Sequence, residues 1–271
     1  MKVVLFCGGL GMRIREAGEN IPKPMVTIGY RPIVWHLMKY YAHYGHKEFI
    51  LCLGYRGDVI KNYFLNYTET LSNDFVLSEG GKKLELLKSD IQDWKITFVD
   101  TGLSSNIGMR LKAVERLVGN DREFLANYSD GLSNLPLDLH VERFRQQDAI
   151  ASFVSVKPNL SYHVVSTAPT GLVSGIEDIG LSPIRINGGF FVFKREIFDH
   201  IGEGEELVRE PFQRLVPAQK LAAFEYDGFW QSMDTFKDRQ QLEEIYSRGN
   251  APWEVWNSTL APAAALAGAG R

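Results

Sequence analysis

The feature that most constrains this chain is a short apolar run that leads directly into a glycine-rich turn near its first residue. Residues 3–6 are uniformly apolar, which predicts a buried strand. Gly8, Gly9 and Gly11 follow that strand within five positions. Because glycine has no side chain, its backbone N–H groups can approach phosphate oxygens closely. The segment therefore predicts a strand that ends in a phosphate-binding loop.

Two cations follow the glycines and are candidate ligands for phosphate. Arg13 lies just after the turn, and Lys23 lies between Pro22 and Pro24. The two prolines stiffen the backbone that carries the Lys23 ammonium group. The glycines alone are equally compatible with a plain structural turn. Arg13 and Lys23 favour a site for polyphosphate, with both as candidate catalytic residues.

The glycine-rich turn differs from two common nucleotide-binding motifs. No Gly-Lys-Ser or Gly-Lys-Thr follows the glycines, so the turn is not a P-loop. Ile14 occupies the position of the third glycine of the dinucleotide fingerprint. The sequence thus indicates a phosphate-binding loop of another class.

Composition narrows the class of protein further. The 271 residues carry a net charge of −3, which argues against a basic nucleic-acid-binding surface. Cys7 and Cys52 both lie in apolar runs, so we expect core thiols, no disulfide and a cytoplasmic location. The sequence predicts no signal peptide, and no apolar run approaches the roughly 18 residues that a membrane span requires.

After residue 25 apolar runs alternate with segments of helical period, which predicts a mostly parallel sheet with right-handed crossovers. A charged hairpin or loop is expected over residues 68–93. The predicted strands are 49–53, 95–99, 123–127, 149–156, 186–193 and 221–226. The predicted helices run from 32 to about 45, and over 58–67, 109–118, 136–147, 195–201, 206–215 and 236–248.

Polar residues follow several of the predicted strands. Thr101 and Gly102 follow strand 95–99, and Asp130 follows strand 123–127. Ligands of open α/β sheets bind at the carboxyl ends of the strands. Asp130 and the later Asp234 are candidate Mg²⁺ ligands, since this ion takes one or two carboxylates together with phosphate oxygens. A role for Asp130 in capping the next turn is the alternative.

Several motifs, in order along the chain, resemble those of one enzyme family. GGLGMR followed by IPKPM resembles the sugar nucleotidyltransferase signature, Gly-Gly-x-Gly-Thr-Arg and then Lys-Pro-Lys. The resemblance covers roughly residues 2–256 and is greatest to the cytidylyltransferases of that family. It continues through PIVWHLMKYY, FILCLGYRGDVIKNYF, DTGLSS, INGGFFVF, FWQSMDT and APWEVW.

The resemblance implies a three-layer Rossmann-like α/β fold with a mostly parallel mixed sheet. A small C-terminal β/helical portion would begin near residue 226. We accordingly expect one nucleotidyltransferase domain over residues 1–256 and a disordered tail over residues 257–271, which are rich in small residues. The resemblance also suggests a homo-oligomer.

The resemblance further implies roles for individual residues. Gly8, Gly9, Gly11, Thr101 and Gly102 would lie beside the nucleotide. Asp130 and Asp234 would converge on one Mg²⁺. Arg110 would match an arginine that reaches the nucleotide of a neighbouring subunit, and an exposed residue at a helix start is the alternative for it.

The implied reaction joins CTP and a sugar 1-phosphate to give a CDP-sugar and pyrophosphate. The acceptor phosphate is already an oxyanion near neutral pH, since the second pKa of a phosphate monoester is about 6. No catalytic base is then needed, and Arg13, Lys23 and Mg²⁺ would stabilise the transferred phosphate. The alternatives are a non-catalytic nucleotide-binding regulatory homologue, and a transferase that uses another nucleoside triphosphate or a non-glucose acceptor.

The acceptor half of the chain departs from the family pattern. The family carries Glu-Lys-Pro before its Asn-Gly-Gly strand, and the lysine holds the sugar phosphate. This chain has Asp178-Ile179-Gly180 instead, so that cation is missing. We expect Arg185 to replace it, with Lys157 as the second choice. The predicted acceptor-binding residues are Asp178, Arg185, Asn187, Gly188 and Trp230.

Overall fold

The computed structural model describes residues 1–9, 21–159 and 162–257. Its strands are, in chain order, β1 (Lys2–Phe6), β2 (Thr27–Ile28), β3 (Arg31–Pro32), β4 (Glu48–Leu53), β5 (Phe75–Ser78), β6 (Lys83–Leu86), β7 (Lys95–Asp100), β8 (Glu123–Tyr128), β9 (Gly131–Ser133), β10 (Ala151–Val156), β11 (His163–Thr167), β12 (Val173–Asp178), β13 (Ile186–Asn187), β14 (Phe191–Lys194), β15 (Leu221–Tyr226) and β16 (Trp230–Ser232).

Seven α-helices lie in the described part of the chain, and Pro32 is the N-cap residue of the first. They are α1 (Ile33–His43), α2 (Gly57–Leu65), α3 (Ile107–Ala113), α4 (Glu115–Val118), α5 (Leu137–Gln146), α6 (Glu210–Leu215) and α7 (Phe236–Ser247). The short 3-10 helices are Lys23–Met25, Glu69–Leu71, Glu79–Gly81 and Arg195–His200.

Eight strands form the central sheet. Seven of them follow the order β13-β10-β14-β8-β1-β4-β7, and the eighth, β15, also pairs with β10. The strands β7, β4, β1 and β8 are mutually parallel. β14 runs antiparallel to both β8 and β10, and β15 runs parallel to β10. The predicted mostly parallel mixed sheet is confirmed. Its parallel pairing brings the carboxyl ends of β7, β4, β1 and β8 to the same end of the sheet.

Alternate side chains of β1 enter two separate cores, as expected for a central strand with helices on both faces. Val3 and Leu5 belong to a core that includes α1, whereas Val4 and Phe6 belong to a second core with Leu111 of α3. All four β1 side chains are at most 4% exposed. The three-layer α/β arrangement expected from the sequence is therefore present.

The strand predicted over residues 186–193 is interrupted, so that part of the prediction is wrong. β13 ends at Asn187 and β14 begins at Phe191. Gly189 and Phe190 between them have positive φ angles of 77° and 50°. The buried amide oxygen of Asn127 accepts a hydrogen bond from the Phe190 N–H at 2.9 Å, which holds this bend. The interruption frees Asn187 and Gly188 to border a cavity.

Other predicted elements agree with the structure apart from their boundaries. Residues 68–93 contain the antiparallel β5–β6 hairpin, as expected. The helix predicted over 109–118 is divided into α3 and α4, and the one predicted over 206–215 is the shorter α6, which has a proline in its first turn. Thr235 caps α7, within a capping box completed by Asp238.

The cysteines match the sequence expectation of core thiols. Cys7 and Cys52 are buried free thiols. Burial raises the pKa of the Cys7 thiol to about 12. No helix in the described part of the chain is long and apolar enough to cross a membrane.

Candidate active site

A small antiparallel ladder brings together the two predicted carboxylates, which are far apart in sequence. β9 begins directly after Asp130, and β16 ends two residues before Asp234. Gly131 of β9 is the register partner of Ser232 in β16, and the Met233 N–H donates to the Asp130 carbonyl oxygen at 2.8 Å. The ladder register therefore places Asp130 beside Asp234.

Lys23 joins these two carboxylates. Its ammonium donates a hydrogen bond to Asp130 Oδ2 and another, of 2.7 Å, to Asp234 Oδ1. Burial alone would lower the pKa of Lys23, but the charge of Asp130 and the hydrogen bonds to both aspartates outweigh it and raise that pKa. Lys23 is therefore a fixed cation, and three predicted catalytic residues meet at one point.

The two carboxylates have the chemistry of a Mg²⁺ site that is completed by substrate. Ser232 Oγ donates to Asp234 Oδ2 at 2.9 Å, which orients this carboxylate and leaves Oδ1 toward Lys23. Within residues 1–9, 21–159 and 162–257 there is no group of three or more His, Cys, Asp or Glu side chains able to cage a metal ion. Asp130 and Asp234 thus fit an ion that takes its remaining oxygen ligands from phosphate and water.

A buried arginine lies directly behind the glycine turn. Arg110 is 1% exposed, and its Nη1 donates to the Leu53 carbonyl oxygen at 3.0 Å and to Thr101 Oγ1 at 2.7 Å. A Cβ atom added to Gly8 would lie 2.1 Å from the same Nη1. The guanidinium therefore connects the carboxyl ends of β1, β4 and β7, and Gly8 is needed because the guanidinium occupies the space of a side chain.

Both sequence-based interpretations of Arg110 need correction. The residue is not an exposed helix start, because it is almost fully buried. Its guanidinium also points into its own chain, where Leu53, Thr101 and Leu103 accept its hydrogen bonds, so it does not extend toward a neighbouring subunit. Burial lowers the pKa of Arg110, and its Nε has no hydrogen-bond partner in the structure.

A cavity of about 750 Å³ opens beside the carboxylates. Its volume is within the range of small-molecule sites. Asp130 and Asp234 lie on its wall together with first-turn residues of α7. The other lining residues are Asn127, Tyr128, Gly131, Asn159, Tyr162, Ile186, Asn187, Gly188, Trp230, Gln231, Ser232, Thr235, Lys237, Asp238 and Gln241.

Three of the five predicted acceptor-binding residues border this cavity. Trp230 Nε1 donates to the Gly188 carbonyl oxygen at 2.8 Å, and the Asn187 amide oxygen accepts from the Gly189 N–H at 2.9 Å. These contacts fix the wall next to Asp130. The interrupted β13–β14 segment is therefore a side of the candidate site rather than a continuous strand.

The two other predicted acceptor-binding residues do not line the cavity. Arg185 donates to Asp227 Oδ1 and to the Ser155 carbonyl oxygen, at 2.5 and 2.8 Å, so its guanidinium is engaged at the β10–β15 edge of the sheet. Asp178 is exposed and accepts the Gly180 N–H at 2.8 Å. The second-choice cation Lys157 is also exposed and outside the lining. The expected replacement of the missing cation by Arg185 is therefore wrong.

The glycine loop is only partly described. Gly8 and exposed Gly9 follow β1, whereas Gly11 and Arg13 lie outside the described residues. Gly102 is exposed at the end of β7, where its N–H donates to Asp100 Oδ1 at 3.0 Å. Nucleotide binding by these residues stays a prediction.

Sequence reasoning missed several polar residues of the cavity, and the charged side chain of Lys237 is one of them. A signal for it was available. Lys237 follows the predicted carboxylate Asp234 by three positions, in the first turn of a predicted helix. Tyr128, Asn159 and Tyr162 had no comparable motif.

The sheet order places the chain in the nucleotidyltransferase fold class. Among solved structures, the UTP-bound UGPase from Acinetobacter baumannii superposes with a TM-score of 0.64 at 18% identity, over 90% of this chain and 92% of that one. This likeness shows the fold. No family model matches the chain.

Curated relatives identify the family more closely. The chain is 38% identical over 257 residues to glucose-1-phosphate cytidylyltransferase from Salmonella typhimurium, which covers 94% of this chain and all of that protein. It is 36% identical over 258 residues to the probable glucose-1-phosphate cytidylyltransferase of Bacillus subtilis, with the same coverage. The chain belongs to the glucose-1-phosphate cytidylyltransferase family.

The contact between Gly8 and Arg110 predicts different effects for two adjacent glycine substitutions. Gly8→Ala would force the guanidinium away from Leu53 and Thr101, and we expect a loss of about 1–3 kcal/mol in the free energy of unfolding. Gly9→Ala should have a much smaller effect, since a Cβ there meets no atom of residues 1–9, 21–159 or 162–257 within 4 Å. Urea denaturation measures both changes.

A double-mutant cycle isolates the cause. In an Arg110→Ala background, Gly8→Ala should cost clearly less than in the wild type, because the clashing group is gone. Equal costs in the two backgrounds would contradict the proposed contact.

The bridge from Lys23 to both carboxylates predicts competition between this ammonium and a divalent cation. We expect Lys23→Met to tighten Mn²⁺ binding on the order of tenfold, because the competing charge is removed from the same oxygens. An EPR titration of free Mn²⁺ gives the dissociation constant.

Lys39→Met is the matched control. Lys39 is similarly shielded, with 19% of its side chain exposed against 17% for Lys23. It lies outside the cavity and forms an ion pair with Asp90, with an N–O distance of 2.6 Å. That variant should leave the Mn²⁺ dissociation constant unchanged. Unchanged binding in Lys23→Met as well would mean that Mn²⁺ does not bind at these carboxylates.

Proposed function

We propose that this chain is a Mg²⁺-dependent transferase that joins CTP and a sugar 1-phosphate, giving a CDP-sugar and pyrophosphate. The observation that carries the proposal is the contact of Lys23 with Asp130 and Asp234, two carboxylates that lie on the wall of a cavity of substrate size. Membership of the glucose-1-phosphate cytidylyltransferase family supports CTP and glucose 1-phosphate as the substrates to test first.

In the proposed reaction, a phosphate oxygen of the sugar 1-phosphate attacks the α-phosphorus of CTP. A new P–O bond forms, the bond from the α-phosphorus to the α–β bridging oxygen breaks, and pyrophosphate leaves with that electron pair. The attacking oxygen is already an anion near neutral pH. The site therefore needs no serine nucleophile and no histidine base.

The main task of the protein is to gather anions and to stabilise charge on the transferred phosphate. Lys23 is suited to it, because its raised pKa keeps the ammonium charged at neutral and moderately alkaline pH. Arg13, outside the described residues, remains a predicted second cation. The buried guanidinium of Arg110 behind Gly8 adds fixed positive charge beneath the phosphate-binding turn.

Asp130 and Asp234 would hold the Mg²⁺. When bound, the ion would neutralise phosphate charge and orient the α-phosphate for in-line attack. Because Lys23 contacts both carboxylates, it would have to release at least part of that contact for them to hold the ion. The released ammonium would then lie close to the phosphate oxygens of the substrates.

A cytoplasmic homo-oligomer remains our prediction for the assembled enzyme. The β11–β12 hairpin supports self-association, because it exposes apolar side chains that include Val165, Leu172 and Ile176, which are 52%, 72% and 66% exposed. This support concerns association only and does not give the number of subunits.

The function is tested by pyrophosphate release over a matrix of nucleoside triphosphates and sugar or polyol phosphates. We expect the highest kcat/KM with CTP and a sugar 1-phosphate, and activity that chelation of divalent metal removes. Absence of pyrophosphate release from every pair, in folded protein with Mg²⁺, would contradict the proposal.

Substitution of the carboxylates tests the mechanism. Asp130→Asn and Asp234→Asn should each lower kcat by about 100-fold or more, because the metal and the charge it neutralises are lost. Asp148→Asn is the control, since that side chain is 90% exposed at the far sheet edge and should keep wild-type kcat. Near-normal turnover in both site variants would rule out metal catalysis through these residues.

A further inference from the structure

We propose that Lys237 binds the phosphate of the acceptor and replaces the cation that this chain lacks at residue 179. The inference rests on the proposed function and deepens it, because it assigns a binding residue for the second substrate. Lys237 lies on the wall of the same cavity as Asp130, Asp234 and Trp230. No other lysine or arginine in the described part of the chain lines that cavity.

The cavity wall carries several carboxylates, so an anionic acceptor needs a cation there in order to bind. Three aspartates line the wall, namely Asp130, Asp234 and Asp238. Lys23 compensates the first two from one side. A dianionic sugar phosphate entering this space would meet like charge unless a cation faced it.

Geometry excludes the other candidates near the missing lysine. The Arg185 guanidinium is held by Asp227 and by backbone oxygens at the edge of the sheet. Lys157 is exposed and does not border the cavity. Lys237 is the cation that shares a wall with Asn187, Gly188 and Trp230, which are the residues predicted to contact the sugar.

The position of Lys237 in α7 is unfavourable for a purely structural lysine. It is the second residue of the helix after the Thr235 N-cap. The N-terminal turn of a helix carries partial positive charge, which favours acidic side chains and disfavours lysine. A bound phosphate would interact favourably with both the helix N-terminus and the ammonium group. The same turn holds Asp238, whose carboxylate is used by the capping box.

The experiment compares steady-state kinetics of Lys237→Ala with those of the wild type. We expect the KM for glucose 1-phosphate to rise about 10- to 100-fold, as for loss of one hydrogen bond to a charged group, with the KM for CTP changed less than about twofold. Lys237→Arg should restore most of the acceptor affinity, because it keeps the positive charge. Thermal melting of Lys237→Ala should lie close to that of the wild type, since Lys237 is exposed at the surface, and this shows that the variant is folded.

Arg239→Ala is the matched control, because it removes a positive charge two residues further along the same helix and outside the cavity lining. Its KM for glucose 1-phosphate should stay at the wild-type value. A similar acceptor KM in Lys237→Ala and Arg239→Ala, or an equal rise in both substrate KM values in Lys237→Ala, would overturn the assignment.

A binding measurement separates this inference from the proposed reaction. Calorimetric titration of glucose 1-phosphate into wild type, Lys237→Ala and Arg239→Ala, each with Mg²⁺, requires no turnover. Weaker binding in Lys237→Ala alone supports the phosphate site even if no nucleotide gives pyrophosphate, a result that would refute only the proposed reaction. Equal binding in all three proteins, or no binding to the wild type, would overturn the role of Lys237.

Discussion

The contact of one ammonium with two carboxylates organises the functional half of this protein. Lys23 is 107 positions from Asp130 and 211 positions from Asp234, yet its Nζ bonds to both. Three separate segments must be in place for that contact: the proline-flanked 3-10 helix, the end of β8 and the end of β16. The backbone pairing of β9 with β16 supplies most of this order, since it aligns the two aspartates before any side chain pairs. The relative positions of Asp130 and Asp234 therefore depend on the β9–β16 pairing.

A second cation stabilises the same edge of the sheet in a different way. Arg110 has no carboxylate within ion-pair distance among the described residues, and its contacts are to carbonyl and hydroxyl oxygens. Burying a guanidinium in this manner opposes folding, and burial correspondingly lowers its pKa. Its placement behind Gly8 agrees with the predicted phosphate-binding turn, because a buried positive charge there would favour bound phosphate. The buried Arg110 guanidinium thus lowers the stability of the fold at a position where a bound phosphate would supply the negative charge that Arg110 lacks as a partner.

Much of the fold could be predicted from local patterns, and the failures have physical causes. The apolar runs of β1, β4 and β8 are buried on both faces, so their hydrophobic signal was strong. Asp130 was recognisable because it follows a predicted strand, and Asp234 because it lies in the FWQSMDT motif. The break at Gly189 depends on a hydrogen bond from Phe190 to Asn127, 63 positions away, which no local pattern encodes. The placement of Arg185 and Arg110 likewise depended on tertiary partners, namely Asp227 and Thr101.

The charges around the cavity also link the two substrates and the metal. With Lys23 paired to Asp130 and Asp234, the wall near the helix start of α7 retains Asp238 and Lys237, which nearly balance each other. Binding of Mg²⁺ at the two aspartates would leave the Lys23 ammonium without its present partners and so add positive charge to the site. A triphosphate and a sugar phosphate together bring several negative charges to the same space. With a metal held by Asp130 and Asp234, each bound anion would improve the binding of the cations, and each cation would improve that of the anions. Acceptor affinity in this protein should therefore depend on metal and nucleotide as well as on direct contacts to the sugar.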